Sequence, residues 1–247
     1  MVTALVLILT IGVGHQEEPP AAASPPAPTL AAQEPKPQPG VAAPRAGLAA
    51  PVDRPKMSDQ AELDAWSLRV SAKTKVPARV LAAYGRAEMW MRGQKPSCHL
   101  SWATLAGVGG VEAARFDGTQ IGPDGRVAKP IVGPALNGAG GATAVHDTDA
   151  GKLDGDLLWD HLVGPLRFAP ATWVKYAERA SGDGAPADPQ NIDDGAFTAA
   201  RRLCAGGDDL GTPAGWWKAL PAYNPATPYA QDVFTGADSY AEASTTP

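Results

Sequence analysis

Residues 15–57 hold 11 of the chain's 25 prolines and much alanine, with almost no large apolar side chain. Such a stretch buries too little surface to offset the entropy of ordering it, so it reads as a disordered Pro/Ala-rich tether. The fold must then lie in residues 58–247, enough chain for one well-buried core. Ahead of the tether, MVTALVLILTIGVG (residues 1–14) has the length of a signal-peptide apolar segment and falls short of the ~20 residues of a bilayer span. It lacks a basic leader. It reads either as a signal peptide, with Ala21-Ala22-Ala23 as small residues for cleavage, or as an uncleaved N-terminal anchor. Both readings place the folded part outside the cytoplasm, with membrane contact only through this segment.

Export gives the two cysteines a meaning. An even count in an oxidising compartment favours a Cys98–Cys204 disulfide, worth roughly 3–5 kcal/mol for a loop of this length in the chain-entropy model. Two buried free thiols are the alternative. The formal net charge is −5, and residues 1–57 are balanced, so the acidic excess sits in the folded part. No basic stripe or phosphate-binding glycine motif is present, which argues against nucleic acid and nucleotide cofactors.

From Ser58 the pattern is short helices joined by Gly/Pro/Asp-rich loops, a mainly α class. Asp59 and Glu62 have capping-box spacing ahead of Leu63, Trp66 and Val70. Pro77 suits the first position of a second helix carrying Val80, Tyr84, Ala87 and Met91. Ser101 suits the cap of a third, running from Trp102 to about Arg115. Residues Phe116 to Leu162 read as a long ordered loop or small hairpin. Pro170 opens a helix with Trp173 and Tyr176 or Ala177 inward, and Asn191 caps one with Ile192, Ala196, Ala200 and Leu203 as its stripe. Trp216-Trp217 and Tyr229 to Tyr240 supply the last helical pieces.

One carboxylate stands out. In LAGVGGVEAARFDG, Glu112 follows Leu105 and Val108 at i+7 and i+4, on the inward stripe of the third helix and near its C-terminal end. Burial and the negative end of the helix dipole both hold a proton on a carboxyl group, the state a general acid needs. A structural glutamate bonded to an amide or an arginine is the plainer reading of that residue alone.

GVGGVEA, GPLRFAPATW (164–173) and LPAYNP (220–225), in that order, resemble the three signatures of lysozyme-like lytic murein transglycosylases. The chain resembles the exported, membrane-bound lytic transglycosylase B-like enzymes of high-GC Gram-positive bacteria, and the resemblance covers nearly all of residues 58–241. It implies a lysozyme-like fold and one catalytic acid/base, matched by Glu112. It further implies a Tyr-Asn pair, matched by Tyr223 and Asn224, with the tyrosine facing the carboxylate across a cleft. Leu166, Arg167 and Phe168 match the segment lining the sugar subsites. The implied substrate is the glycan strand of peptidoglycan, the implied place the cell wall, and no cofactor is implied; a monomer is expected. The family usually has Ser where this chain has Ala113, and Gln where it has Arg167, which exchanges an amide that donates and accepts for a fixed cation. A glycan-binding relative with impaired catalysis and a hydrolytic muramidase are the alternatives.

No metal site is assigned. ASGDGAPADPQNIDD has Asp183-Gly184 at calcium-loop spacing, but Arg179 and Gln190 stand where essential ligands belong. Asp147, Asp149, Asp154 and Asp156 could form another site, with solvated loop residues as the default reading, and His146 and His161 are taken as surface or loop residues. Trp66, Trp90, Trp102 and Trp173 are expected in the core, with Trp216 or Trp217 free to reach the groove.

Overall fold

The structure, a computed structural model, describes residues 36–51, 58–114, 120–141 and 143–246. The apolar leader, tether residues 15–35 and 52–57, and Arg115 through Thr119 lie outside the described residues. Among the described residues the protein is mainly α, with seven α-helices and one two-stranded antiparallel sheet.

Helix α1 (Ser58–Thr74) buries Leu63, Trp66 and Val70 as the spacing predicts. It starts at Ser58, so Asp59 lies in its first turn rather than at its cap. Helix α2 (Ala78–Gln94) has Pro77 at its N-cap, one residue earlier than expected, and buries Tyr84, Ala87 and Met91. Helix α3 (Trp102–Ala113) is capped by Ser101, whose side chain accepts from the Thr104 amide. Its first amide, Trp102 N, donates to Glu88 Oε2 at 2.8 Å, so a buried carboxylate of α2 satisfies an orphan donor of α3. Burial pushes the Glu88 carboxyl up, against the opposing pull of that amide and of Arg92.

Helix α3 packs against α2 and against two helices from later in the chain. Helix α7 (Thr227–Thr245) crosses it where a Cβ on Gly107 would lie 2.5 Å from the Val233 carbonyl oxygen. On another face a Cβ on Gly109 would lie 2.0 Å from the Tyr84 hydroxyl. The glycines of LAGVGG are therefore the contact points of two neighbours. Helices α4 (Pro170–Tyr176), α5 (Ile192–Cys204) and α6 (Pro213–Ala219) complete the bundle, and Asn191 caps α5 by accepting from Asp193 N at 2.8 Å. The disulfide joins Cys98, just before α3, to Cys204 at the end of α5.

The expected long loop is present. Strand β1 (Val132–Ala135) pairs antiparallel with β2 (His161–Val163), Val132 opposite Val163 and Ala135 opposite His161, so the loop between them closes as a hairpin.

The tether reading needs correction for residues 36–51. This segment has no helix or strand, yet it packs along the helices as a strap. The indole N–H groups of Trp66 and Trp102 both donate to the Leu48 carbonyl at 3.0 Å, and that of Trp217 to the Ala42 carbonyl at 2.7 Å. Leu48 N donates to Ser244 Oγ, and Arg45 pairs with Asp238 and Glu242 on α7. Composition counts apolar side chains; this strap is held by backbone carbonyls, which buried indoles require as acceptors, and by the ion pairs of Arg45.

Candidate active site around Glu112

Glu112 is 5% exposed, on the same buried stripe of α3 as Leu105 and Val108. The residue facing it is Arg167, whose Nε lies 3.7 Å from Glu112 Oε2. Both side chains are shielded from solvent, at 6% and 10% exposure. The residue at which the chain departs from the pattern it resembles thus stands beside the candidate acid.

The local backbone explains how Arg167 arrives there. Gly164 to Arg167 forms a turn closed by Arg167 N donating to Gly164 O at 3.0 Å, and flanked by reciprocal bonds between Val163 and Phe168. Gly164 has φ +76, and a Cβ there would lie 1.9 Å from the Pro189 carbonyl oxygen, so only glycine fits. Arg167 also has positive φ, +51, a conformation costly for a residue with a Cβ. Its guanidinium lies over β1, where a Cβ on Gly133 would come within 2.8 Å of Nη2. Gly133 is a residue the sequence did not single out; a glycine inside a strand, marking close approach of another group, is the signal that was there.

Tyr223 comes to the same place from the far end of the chain. It is 9% exposed, and its hydroxyl donates to the Leu166 carbonyl at 2.6 Å. Burial first, and the Glu112 charge second, push its phenol well above the ordinary value, so it stays protonated and acts as a donor. Arg202 stacks 5.0 Å over the Tyr223 ring and donates to the Ala222 carbonyl. Glu112, Arg167 and Tyr223, with the Leu166 carbonyl, drawn from three separate stretches, are therefore brought together.

Other expected site residues fall elsewhere. Leu166 and Phe168 are 1% and 0% exposed, Phe168 packing against Trp173 and Tyr223, so their side chains support the turn from behind and present no surface to a ligand. Asn224 Oδ1 accepts from Ala226 N at 3.0 Å, a turn leading into α7. Trp216 is fully buried and donates to Thr104, while Trp217 is tied to the strap, so neither reaches a groove. His161 is a half-buried residue that contacts the Gly133 carbonyl and Asp156, which together raise its tendency to hold a proton. His146 is exposed and stacks on Trp159. A cavity of 680 Å³ runs along the Gly109, Gly110 and Ala113 face of α3, between Tyr84, Pro165 and Tyr240; Glu112 is not on its wall.

In the calcium-like loop, Arg179 takes the place a cation would hold. Its guanidinium makes two bonds to Asp183, at 3.0 and 2.8 Å, and one to the buried Asp194 at 2.8 Å. Asp194 also accepts from the amides of Ala180 and Asp188. The charge of this loop is thus balanced by a residue of the chain itself.

No family model, curated protein or solved structure matches this chain.

Proposed function

We propose that this protein is a lysozyme-like lytic transglycosylase that cleaves the MurNAc–GlcNAc bond of peptidoglycan outside the cytoplasm. The observation that carries the reading is the convergence of three sequence-distant stretches on Glu112, with Tyr223 and the 164–167 turn beside it. In this scheme protonated Glu112 gives its proton to the glycosidic oxygen as the bond to the muramic anomeric carbon breaks. The resulting carboxylate takes a proton from the muramic 6-hydroxyl, whose oxygen attacks that carbon and closes a 1,6-anhydro ring. The substrate supplies the nucleophile, so the second carboxylate of ordinary glycosidases is not required.

Arg167 is the residue the scheme must accommodate, because an adjacent guanidinium favours the ionised carboxyl. An anionic group of the substrate, the muramic lactyl carboxylate or a stem-peptide carboxylate, is a competing partner for it. The same ion pair favours a second reading, a protein that holds glycan strands without cutting them. Mass spectrometry of products from the full chain and purified peptidoglycan separates the two. Soluble muropeptides lighter by one water, without new reducing ends, support transglycosylation; reducing ends mark a muramidase; binding to insoluble wall without products marks the non-cutting relative.

A further inference from the structure

The loop between β1 and β2 carries a cluster that the proposed chemistry does not use. Carboxylate oxygens of Asp147, Asp149 and Asp160 lie within 4.8 Å of one another. Asp160, absent from the sequence reading of this loop, is fully buried and holds the middle of the loop, accepting from Thr148 N at 2.8 Å and from Thr148 Oγ1 at 2.7 Å. Asp147 Oδ1 accepts from the amides of Asp149 and Gly151, and Asp149 Oδ2 from that of Leu153.

A second observation is independent of the clustering. Asp149 Oδ1 is buried and has no hydrogen-bond partner among the described residues. A carboxylate oxygen removed from water needs a donor or a cation.

We propose that Asp147, Asp149 and Asp160 form a binding site for a hard divalent cation, calcium by ligand type. An all-oxygen, all-carboxylate donor set selects hard ions over zinc or copper. Calcium completes a shell of six to eight oxygens with water and tolerates irregular geometry, whereas magnesium demands a near-ideal octahedron. Three side-chain ligands place the affinity in the range of extracellular modules, ~10⁻⁴–10⁻³ M. The ion would tie Asp147 and Asp149, midway along the loop, to Asp160, which directly precedes β2 and so fixes the strand leading into the Gly164–Arg167 turn. This departs from the reading of these aspartates as solvated loop residues, and it stands whether or not Glu112 cuts glycans.

The test uses the full chain, stripped with chelator and titrated with calcium chloride by calorimetry and thermal melting. One saturable calcium per chain, a higher melting temperature with calcium, and a clearly smaller response to equal magnesium are expected. Asp149→Asn should weaken binding at least tenfold and melt no lower than the calcium-free parent, because it relieves repulsion while an amide oxygen can still accept from Leu153. Terbium luminescence sensitised by Trp159, beside Asp160, and competed by calcium, reads the site in the unaltered chain should that variant not fold. The proposal is overturned by absence of saturable binding, by equal response to calcium, magnesium and potassium, or by undiminished binding in Asp149→Asn. It is equally overturned if acidification alone stabilises the loop while calcium does nothing, since a shared proton would then be the compensating charge.

Discussion

Arg167 Nε and Glu112 Oε2 lie 3.7 Å apart in a setting almost closed to solvent, with Arg167 held in a left-handed backbone conformation to reach that position. If Glu112 is the acid, the guanidinium restrains it. Arg167→Gln, which puts in the residue usual in the enzymes the chain resembles, should raise the rate of anhydro-product formation at neutral pH by roughly tenfold or more, following the usual effect of an adjacent arginine on a carboxyl. The pH profile should extend upward on its alkaline side. A rate unchanged or lowered in folded variant would count against the acid role.

Glu112→Gln should abolish cleavage, by about 10²–10⁴-fold if proton transfer is the only contribution lost. It also removes the carboxylate beside a shielded guanidinium; breaking a buried pair from one side costs up to about 3–5 kcal/mol. The double variant Glu112→Gln/Arg167→Gln separates the two effects. It should recover most of the lost stability in a melting experiment and none of the activity in a product assay.

Helix order and faces were legible because they rest on local signals: Ser101 and Asn191 at caps, Pro170 at a first turn, apolar residues three and four apart. The stripe through Leu105, Val108 and Glu112 followed from spacing alone, and so did its burial. The missed features depend on contacts between distant segments. Nothing local to residues 36–51 announces that three tryptophans far along the chain need carbonyl acceptors. Leu166 and Phe168 sit in a matched motif, but motif matching does not say which side of a turn faces the core. His161 gains its contact with the Gly133 carbonyl only when β2 pairs with β1.

The glycines of α3 give a sharp contrast with a glycine of α2. Gly107→Ala drives a Cβ to 2.5 Å from a backbone oxygen of α7, which cannot step aside as a flexible side chain can. A loss of about 1–3 kcal/mol or more is expected from such overpacking. Gly93→Ala, inside α2 with nothing within 4 Å, should instead gain about 0.5–1 kcal/mol from helix propensity. Chemical denaturation of the two variants should move the midpoint in opposite directions.

Tyr223→Phe removes the donor to the Leu166 carbonyl while keeping the ring that packs on Phe168. Leaving that buried acceptor short costs about 1–3 kcal/mol. For a domain of this size each kcal/mol lowers Tm by about 2–4 °C. If the tyrosine serves only the turn, activity should follow stability; a larger fall in kcat than in folded fraction would give its hydroxyl a part in the reaction.

Acid should release the strap before it unfolds the domain. Arg45 donates to Asp238 from its backbone amide and its guanidinium, and these bonds hold the Asp238 carboxyl below its ordinary range. A depressed folded value means that the unfolded or released state binds the proton more readily. The pair's contribution is therefore complete above the released value of about 3.9 and is lost as pH falls through the lower, strap-bound value. The pair is partly exposed, and salt screens it, so the effect on global melting should be small. Local opening is the sensitive observable: hydrogen exchange at residues 36–51 should accelerate below about pH 4 relative to α3, and Asp238→Asn should produce the same opening at neutral pH. Equal acceleration in the strap and in α3 would mean that the strap has no separate transition, and that the indole–carbonyl bonds at Leu48 and Ala42, which do not titrate, are what hold it.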